Sequence, residues 1–126
     1  MRFYKIHGLL SSLLFLILLG CEPTASINES SPAPPQFAWL EGLDAQDEVA
    51  KHADSGDFRM IAIANRGQSL PGIAPLEQAQ VKMQCGMRFV EGLGDTTTPD
   101  SQAWRKKALE YAEQYNSAMH KRCMSM

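Results

Sequence analysis

Leu9–Leu19 is the longest apolar run in this 126-residue chain, and its place near the amino end removes it from any account of the folded core. Only Ser11 and Ser12 interrupt it; Arg2 and Lys5 precede it and Gly20-Cys21 close it. As a helix the run is about 16 Å long at 1.5 Å per residue, whereas a hydrocarbon core of about 30 Å needs roughly twenty apolar residues. Past Cys21 the hydrophobicity stops at Glu22-Pro23-Thr24. A basic start, a short apolar middle and a small residue before the boundary are the layout of a secretory signal that is cut away. The basic residues would hold its start on the cytoplasmic side. Residues 1–20 are therefore expected to be a signal peptide, and the fold must be built from residues 21–126.

Leu18-Leu19-Gly20-Cys21 resembles the lipobox of bacterial lipoproteins. The resemblance makes Leu18 the lipobox leucine, Gly20 the small residue before the cut and Cys21 the lipidation site. It implies a diacylglycerol thioether on the Cys21 thiol and a third acyl chain on its new α-amino group. Leu19 departs from the smaller residues usual at its position. One acyl chain binds a bilayer marginally, while two or three anchor stably. Glu22-Pro23 lacks the aspartate that resembles an inner-membrane retention signal. The expected location is the cell envelope, on the outer membrane in preference to the inner, facing the periplasm.

Loss of Arg2 and Lys5 lowers the twelve basic residues to ten against fourteen acids, a net charge of −4. Nucleic-acid binding calls for a basic face, so it is not expected. Residues 21–36 read as the lipidated cysteine and a disordered tether, since Pro23, Pro32, Pro34 and Pro35 alternate with Ser, Asn and Thr and such a stretch buries too little to offset its ordering entropy. Stretched, it holds the domain ~30–45 Å from the bilayer. Residues 37–126 are left for one small domain, of a size that is often marginal in stability. Cys85 and Cys123 form an even pair in a compartment that permits oxidation, so a disulfide is the expected state. Two free buried thiols are the alternative. No metal site is expected at either cysteine.

Asp44 can cap a helix from about Asp44 to His52, with Asp47 at its third position and Ala45, Val49, Ala50 and Ala53 on one side. Phe58–Ala64 is a nearly continuous apolar run between turn signals, which predicts a strand buried on both faces. Residues 66–72 are a loop by their Gly and Pro punctuation. Over 75–91 the alternation of Val81, Met83, Cys85, Met87 and Phe89 suits one long strand. The spacing of Leu76, Ala79 and Met83 suits a helix at about Pro75–Gln84, ended by Gly86 and followed by a strand at about Met87–Glu91. The second reading is preferred. Thr98 caps the longest helix with Pro99 at its first position. Trp104, Ala108, Tyr111, Ala112, Tyr115 and Met119 form its apolar stripe, which Cys123 continues towards the core that Cys85 should face. Lys121 and Arg122 suit its carboxyl end. The fold class is α+β: about three helices and two short strands.

Pro71-Gly72-Ile73, the run Gly86–Gly92 with Asp95, and Tyr111-Ala112-Glu113 with Tyr115-Asn116 resemble small uncharacterised bacterial proteins over roughly 58–116. That resemblance implies the helix-then-strand order and no activity.

Arg66, Glu91 and Asp95 each follow or close a predicted strand, where α/β sites tend to form. They are the candidate binding residues, with Gly67, Gly92 and Gly94 allowing close approach. Asp44, Asp47 and Glu48 lack the spacing and central glycine of a calcium loop. His52 and His120 read as isolated residues in a solvated or capping role. Arg105-Lys106-Lys107 point around a helix, with Lys106 able to pair with Glu110. Neither a nucleophile elbow nor a phosphate loop is present. The leading expectation is a lipid-anchored, non-catalytic binding or accessory module, without cofactor, that meets the membrane and an envelope protein. The alternatives are a periplasmic inhibitor or exclusion lipoprotein that uses loop 66–74, and a small hydrolase-like enzyme using Glu91 and Arg66.

Overall fold

A computed structural model describes residues 32–64, 67–94 and 98–126. Along them run a 3-10 helix (Pro35–Leu40), α1 (Ala45–Asp54), β1 (Met60–Ala62), α2 (Gln78–Cys85), β2 (Met87–Phe89) and α3 (Pro99–Cys123). The domain is α+β. No helix among the described residues is long and apolar enough to cross a membrane.

The domain starts before residue 37. Pro35 and Gln36, which composition places in the tether, open the 3-10 helix. A proline there loses no bond, because the first helical N–H has no partner. The helix drives Phe37 into the core at 2 % exposure. Gly92 lies at φ +80°, and a Cβ there would come within 2.4 Å of the Phe37 ring, so both the backbone conformation and the close approach favour glycine.

Asp44 caps α1: its Oδ1 accepts the N–H groups of Gln46 (2.8 Å) and Asp47 (3.1 Å). Ala45 and Val49 supply the buried side, and the helix runs to Asp54, two residues beyond the expected end. β1 is buried along its whole length and pairs in parallel with β2, Met60 opposite Met87, Ile61 opposite Arg88 and Ala62 opposite Phe89. A parallel pair needs a crossover connection, and α2 lies in it.

α2 follows the helix-then-strand reading but starts at Gln78, three residues late, because Pro75–Glu77 form a turn. Gly86, at φ +76°, ends it. Its inward face departs from expectation. Val81 and Cys85 are buried, whereas Leu76 and Met83 are almost fully exposed. Both stripes have helical spacing, and the one carrying the bridged cysteine is the one held inward.

α3 is the backbone of the domain. Ser101 Oγ accepts the Thr98 N–H at 3.0 Å, the reciprocal arm of a capping box. Ala108, Tyr111, Ala112, Tyr115, Met119 and Cys123 are buried, as the stripe predicts. Asn116 is buried with them, fully enclosed. Met60 donates to the Gly86 carbonyl, so the alternation of the strand turns the N–H and C=O of Ile61 to the opposite edge. There the Asn116 amide takes both: Oδ1 accepts Ile61 N–H at 2.7 Å and Nδ2 donates to Ile61 O at 2.9 Å. Nδ2 also donates to Pro71 O at 2.9 Å. A side chain of α3 thus acts as a third strand one residue long.

Candidate functional site

Cys85 and Cys123 form a disulfide, with Cα atoms 6.0 Å apart across 38 residues of sequence. Cys21, Arg66 and Asp95 lie outside the described residues. The expected convergence of Arg66, Glu91 and Asp95 can therefore be followed at Glu91 alone. Glu91 sits exposed in the turn after β2, and its structural part is played by its backbone. Its carbonyl accepts the Trp39 indole N–H at 3.0 Å, which also reaches Gln36 O at 3.1 Å. That contact fastens the 3-10 helix to the end of β2.

Among the described residues a polar cluster lies elsewhere, where α1, the turn after it and β2 meet α3. His52 is not isolated. Its Nε2 is 3.5 Å from Glu48 Oε2 and its Nδ1 3.7 Å from Asp57 Oδ2, with its ring edge-on to Tyr115 at 6.0 Å. The Glu48 contact follows from helical i,i+4 spacing, a signal present in the sequence. The Asp57 contact needs the turn after α1 to fold back, with Asp57 N–H on His52 O at 2.9 Å. Arg59 then grips Asp57 with Nε on Oδ1 (2.9 Å) and Nη2 on Oδ2 (2.8 Å). Those charge-assisted bonds hold the Asp57 carboxyl far below the usual carboxylate range, against the opposing effect of partial burial.

A carboxylate with a depressed folded pKa stabilises the fold above its unfolded pKa, about 3.9, and loses that contribution as pH falls through the folded value. Asp57→Asn should lower the urea midpoint at pH 7, and the gap from the native chain should close as pH drops below about 4. A constant gap from pH 7 to pH 2 would show that the Asp57 charge is not what matters.

Inside the cluster, Tyr111 and Tyr115 stack at 6.2 Å, Trp39 meets Tyr111 edge-on at 5.6 Å, and the Arg88 guanidinium lies 5.0 Å from the Tyr115 ring centre. Burial pushes the Tyr111 hydroxyl up to about 12, with Glu48 adding and Arg88 opposing. Tyr115 is raised by burial too, against the pull of Arg88. The Tyr115 hydroxyl oxygen is enclosed beside the Arg88 guanidinium, without a well-aligned hydrogen bond. A buried unsatisfied hydroxyl costs about 1–3 kcal/mol, but Tyr115→Phe also removes the group that faces Arg88, so the two effects should offset and stability should change by less than about 1 kcal/mol. A larger loss in thermal or urea unfolding would mean that the contact with Arg88 outweighs the cost of enclosing the hydroxyl. Both shifts keep the hydroxyls protonated at neutral pH.

A second feature is an open groove of about 590 Å³ near the amino end of α3, lined by Pro32, Leu40, Leu43, Trp104, Lys107 and Tyr111 among others. The three adjacent cations beside it splay apart, with Lys107 Nζ 4.7 Å from the Trp104 ring centre and Lys106 Nζ 3.8 Å from Glu110. Loop residues Leu70 and Ile73 are buried. Gln78 fastens them, accepting Leu70 N–H at 3.1 Å and donating to Ile73 O at 3.1 Å. The described part of loop 66–74 is thus tied down in its middle. Among the described residues no group of three or more His, Cys, Asp or Glu is placed to hold a metal ion.

No known protein family, curated protein or solved structure matches this chain. The fold and its bridge define a small, disulfide-stapled α+β domain.

Proposed function

We infer that this chain is a lipid-anchored module of the bacterial cell envelope that acts by binding and not by catalysis. The observation that carries the reading is the division of its three cysteines. Cys85 and Cys123 close on each other, which suits an oxidising compartment. Cys21, directly after the apolar leader, is left over as the acyl acceptor. The mature chain would sit on the outer membrane and face the periplasm. Binding is favoured over hydrolysis by Glu91, whose carbonyl secures Trp39 and whose carboxylate stands in an exposed turn.

Cells producing the chain in the presence of an alkyne palmitate analogue should yield a labelled product, and Cys21→Ser should abolish the label. The intact mass should correspond to residues 21–126 plus the acyl groups, less two protons for the bridge. An unlabelled polypeptide that begins at Met1 would overturn the reading.

A further inference from the structure

The open groove near the amino end of α3 is lined by two aromatic rings, Trp104 and Tyr111, together with Leu40 and Leu43. Its charged groups among the described residues are Glu41, Asp44 and Glu110 against Lys107, a net charge of −2. Arg105 and Lys106 are not among the residues that line it. Lys106 reaches Glu110 at 3.8 Å, but both side chains are more than half exposed, and such a pair is worth little. Another groove, of about 600 Å³, sets Lys121 and Arg122 against Glu113 and so has the opposite sign. The negative charge therefore belongs to the groove at Trp104 and is not shared by every hollow of the surface.

The carboxylates can receive more than their present partners. Glu41 Oε1 takes the Ala33 N–H at 2.7 Å, and Asp44 Oδ1 holds the first turn of α1. Among the described residues Glu41 Oε2 and Asp44 Oδ2 have no donor, and both stand ready for one that enters the groove. The Tyr111 hydroxyl registers the same field: burial is the first cause of its raised pKa, and Glu48 and Asp44 add to it against Arg88. Lys107 already shows which kind of group the rings accept. Its ammonium stands 4.7 Å from the Trp104 ring centre, a cation–π contact.

Aromatic rings beside surplus carboxylates call for a cation. A guanidinium answers better than an ammonium, because it is planar and weakly hydrated, and can stack on a ring while pairing with a carboxylate through two N–H groups. Since the groove is open, the cation can stay joined to a polypeptide whose apolar neighbours meet Leu40 and Leu43. The anchor brings such a partner into reach. Pro32 lines the groove, eleven residues beyond Cys21, a contour of at most about 40 Å.

We propose that the groove beside Trp104 is a docking site for an arginine of a protein partner in the envelope, seated on Trp104 and Tyr111 and paired with the carboxylates of Glu41, Asp44 and Glu110. The proposal rests on the binding reading above and gives that partner its chemistry.

The test uses the whole product that the cells make, purified in uncharged detergent, with 5-fluorotryptophan at its two tryptophans. Trp104 reports on the groove, and Trp39, which is not among its lining residues, serves as the control. The probe is a tripeptide with blocked ends and arginine between two leucines; matched peptides carry citrulline, its neutral isostere, or glutamate. The arginine peptide should shift the Trp104 fluorine signal with a midpoint of about 1 mM or below. The citrulline peptide should need about ten-fold more, the loss expected of a charge-assisted pair. Glu41→Gln, Asp44→Asn and Glu110→Gln combined should weaken the arginine peptide by about the same factor. Each amide keeps an acceptor oxygen, and asparagine caps a helix as well as aspartate does. Lys107→Met should tighten binding by about three-fold, since it removes a like charge, and damage to the fold cannot produce such a gain. Equal binding of the arginine and citrulline peptides overturns the charge assignment, and tighter binding of the glutamate peptide overturns the cationic partner. A Trp104 signal that no peptide moves overturns the docking site alone, because the palmitate label tests the anchor separately.

Discussion

Asn116→Leu should cost this domain about 4 kcal/mol, a large part of the total expected for its size, measured as the change in unfolding free energy in urea. Leucine fills a similar volume but returns none of the three hydrogen bonds. The N–H and C=O of Ile61 are buried and Pro71 O is partly so, and each buried backbone group left unsatisfied costs about 1–3 kcal/mol. Among the described residues β1 has β2 on one edge only, and no neighbouring strand there can take over. Asn116→Asp separates the two halves of the amide. Its carboxylate can still accept from Ile61 N–H, but it faces two carbonyl oxygens that the amide nitrogen formerly served. Burial and those oxygens raise the folded pKa of the new carboxyl above about 3.9, so its destabilisation should grow as pH rises past that value and shrink in acid. A loss under about 1 kcal/mol for Asn116→Leu would show that β1 holds its place without the amide.

Removing the disulfide through Cys85→Ala with Cys123→Ala should cost a similar amount. A closed loop of 38 residues is worth about 4 kcal/mol by the chain-entropy argument. The loss should be uneven across the fold. α2 has eight residues and buries only Val81 and Cys85, and a helix that short is marginal without tertiary support. Hydrogen exchange in α2 should therefore accelerate most, ahead of α1 and α3. The urea midpoint should fall by more than about 1 M. If α2 keeps its protection in the double variant, packing around Val81 is sufficient and the bridge is not the main restraint.

The elements that could be read in advance are those whose cause lies within a turn or two of chain. Asp44 caps α1 through its own next residues, Pro99 opens α3, Gly86 ends α2, and the α3 stripe from Ala108 to Cys123 is buried at the spacing it displays. The pairing of Cys85 with Cys123 was also within reach, because they are the two cysteines that lie beyond the amino-terminal apolar segment and the cysteine that ends it, and Cys123 continues the α3 stripe. His52 was half accessible: Glu48 lies one helical turn away, but Asp57 reaches it only after the chain reverses.

The inward face of α2 was another matter. Leu76, Ala79 and Met83 compete with Val81 and Cys85 on spacing alone, and the pattern of one helix cannot say which stripe its neighbours will cover. Of the three candidate residues, only Glu91 falls among those described, and its place depends on where Trp39 docks. Periodicity, capping and turn chemistry act over a few residues and are carried by the sequence itself. Asn116, in contrast, finds its partners 55 and 45 residues away. An asparagine on an apolar stripe signals a buried hydrogen bond, but the strand edge that needs it exists only once β1 lies against α3.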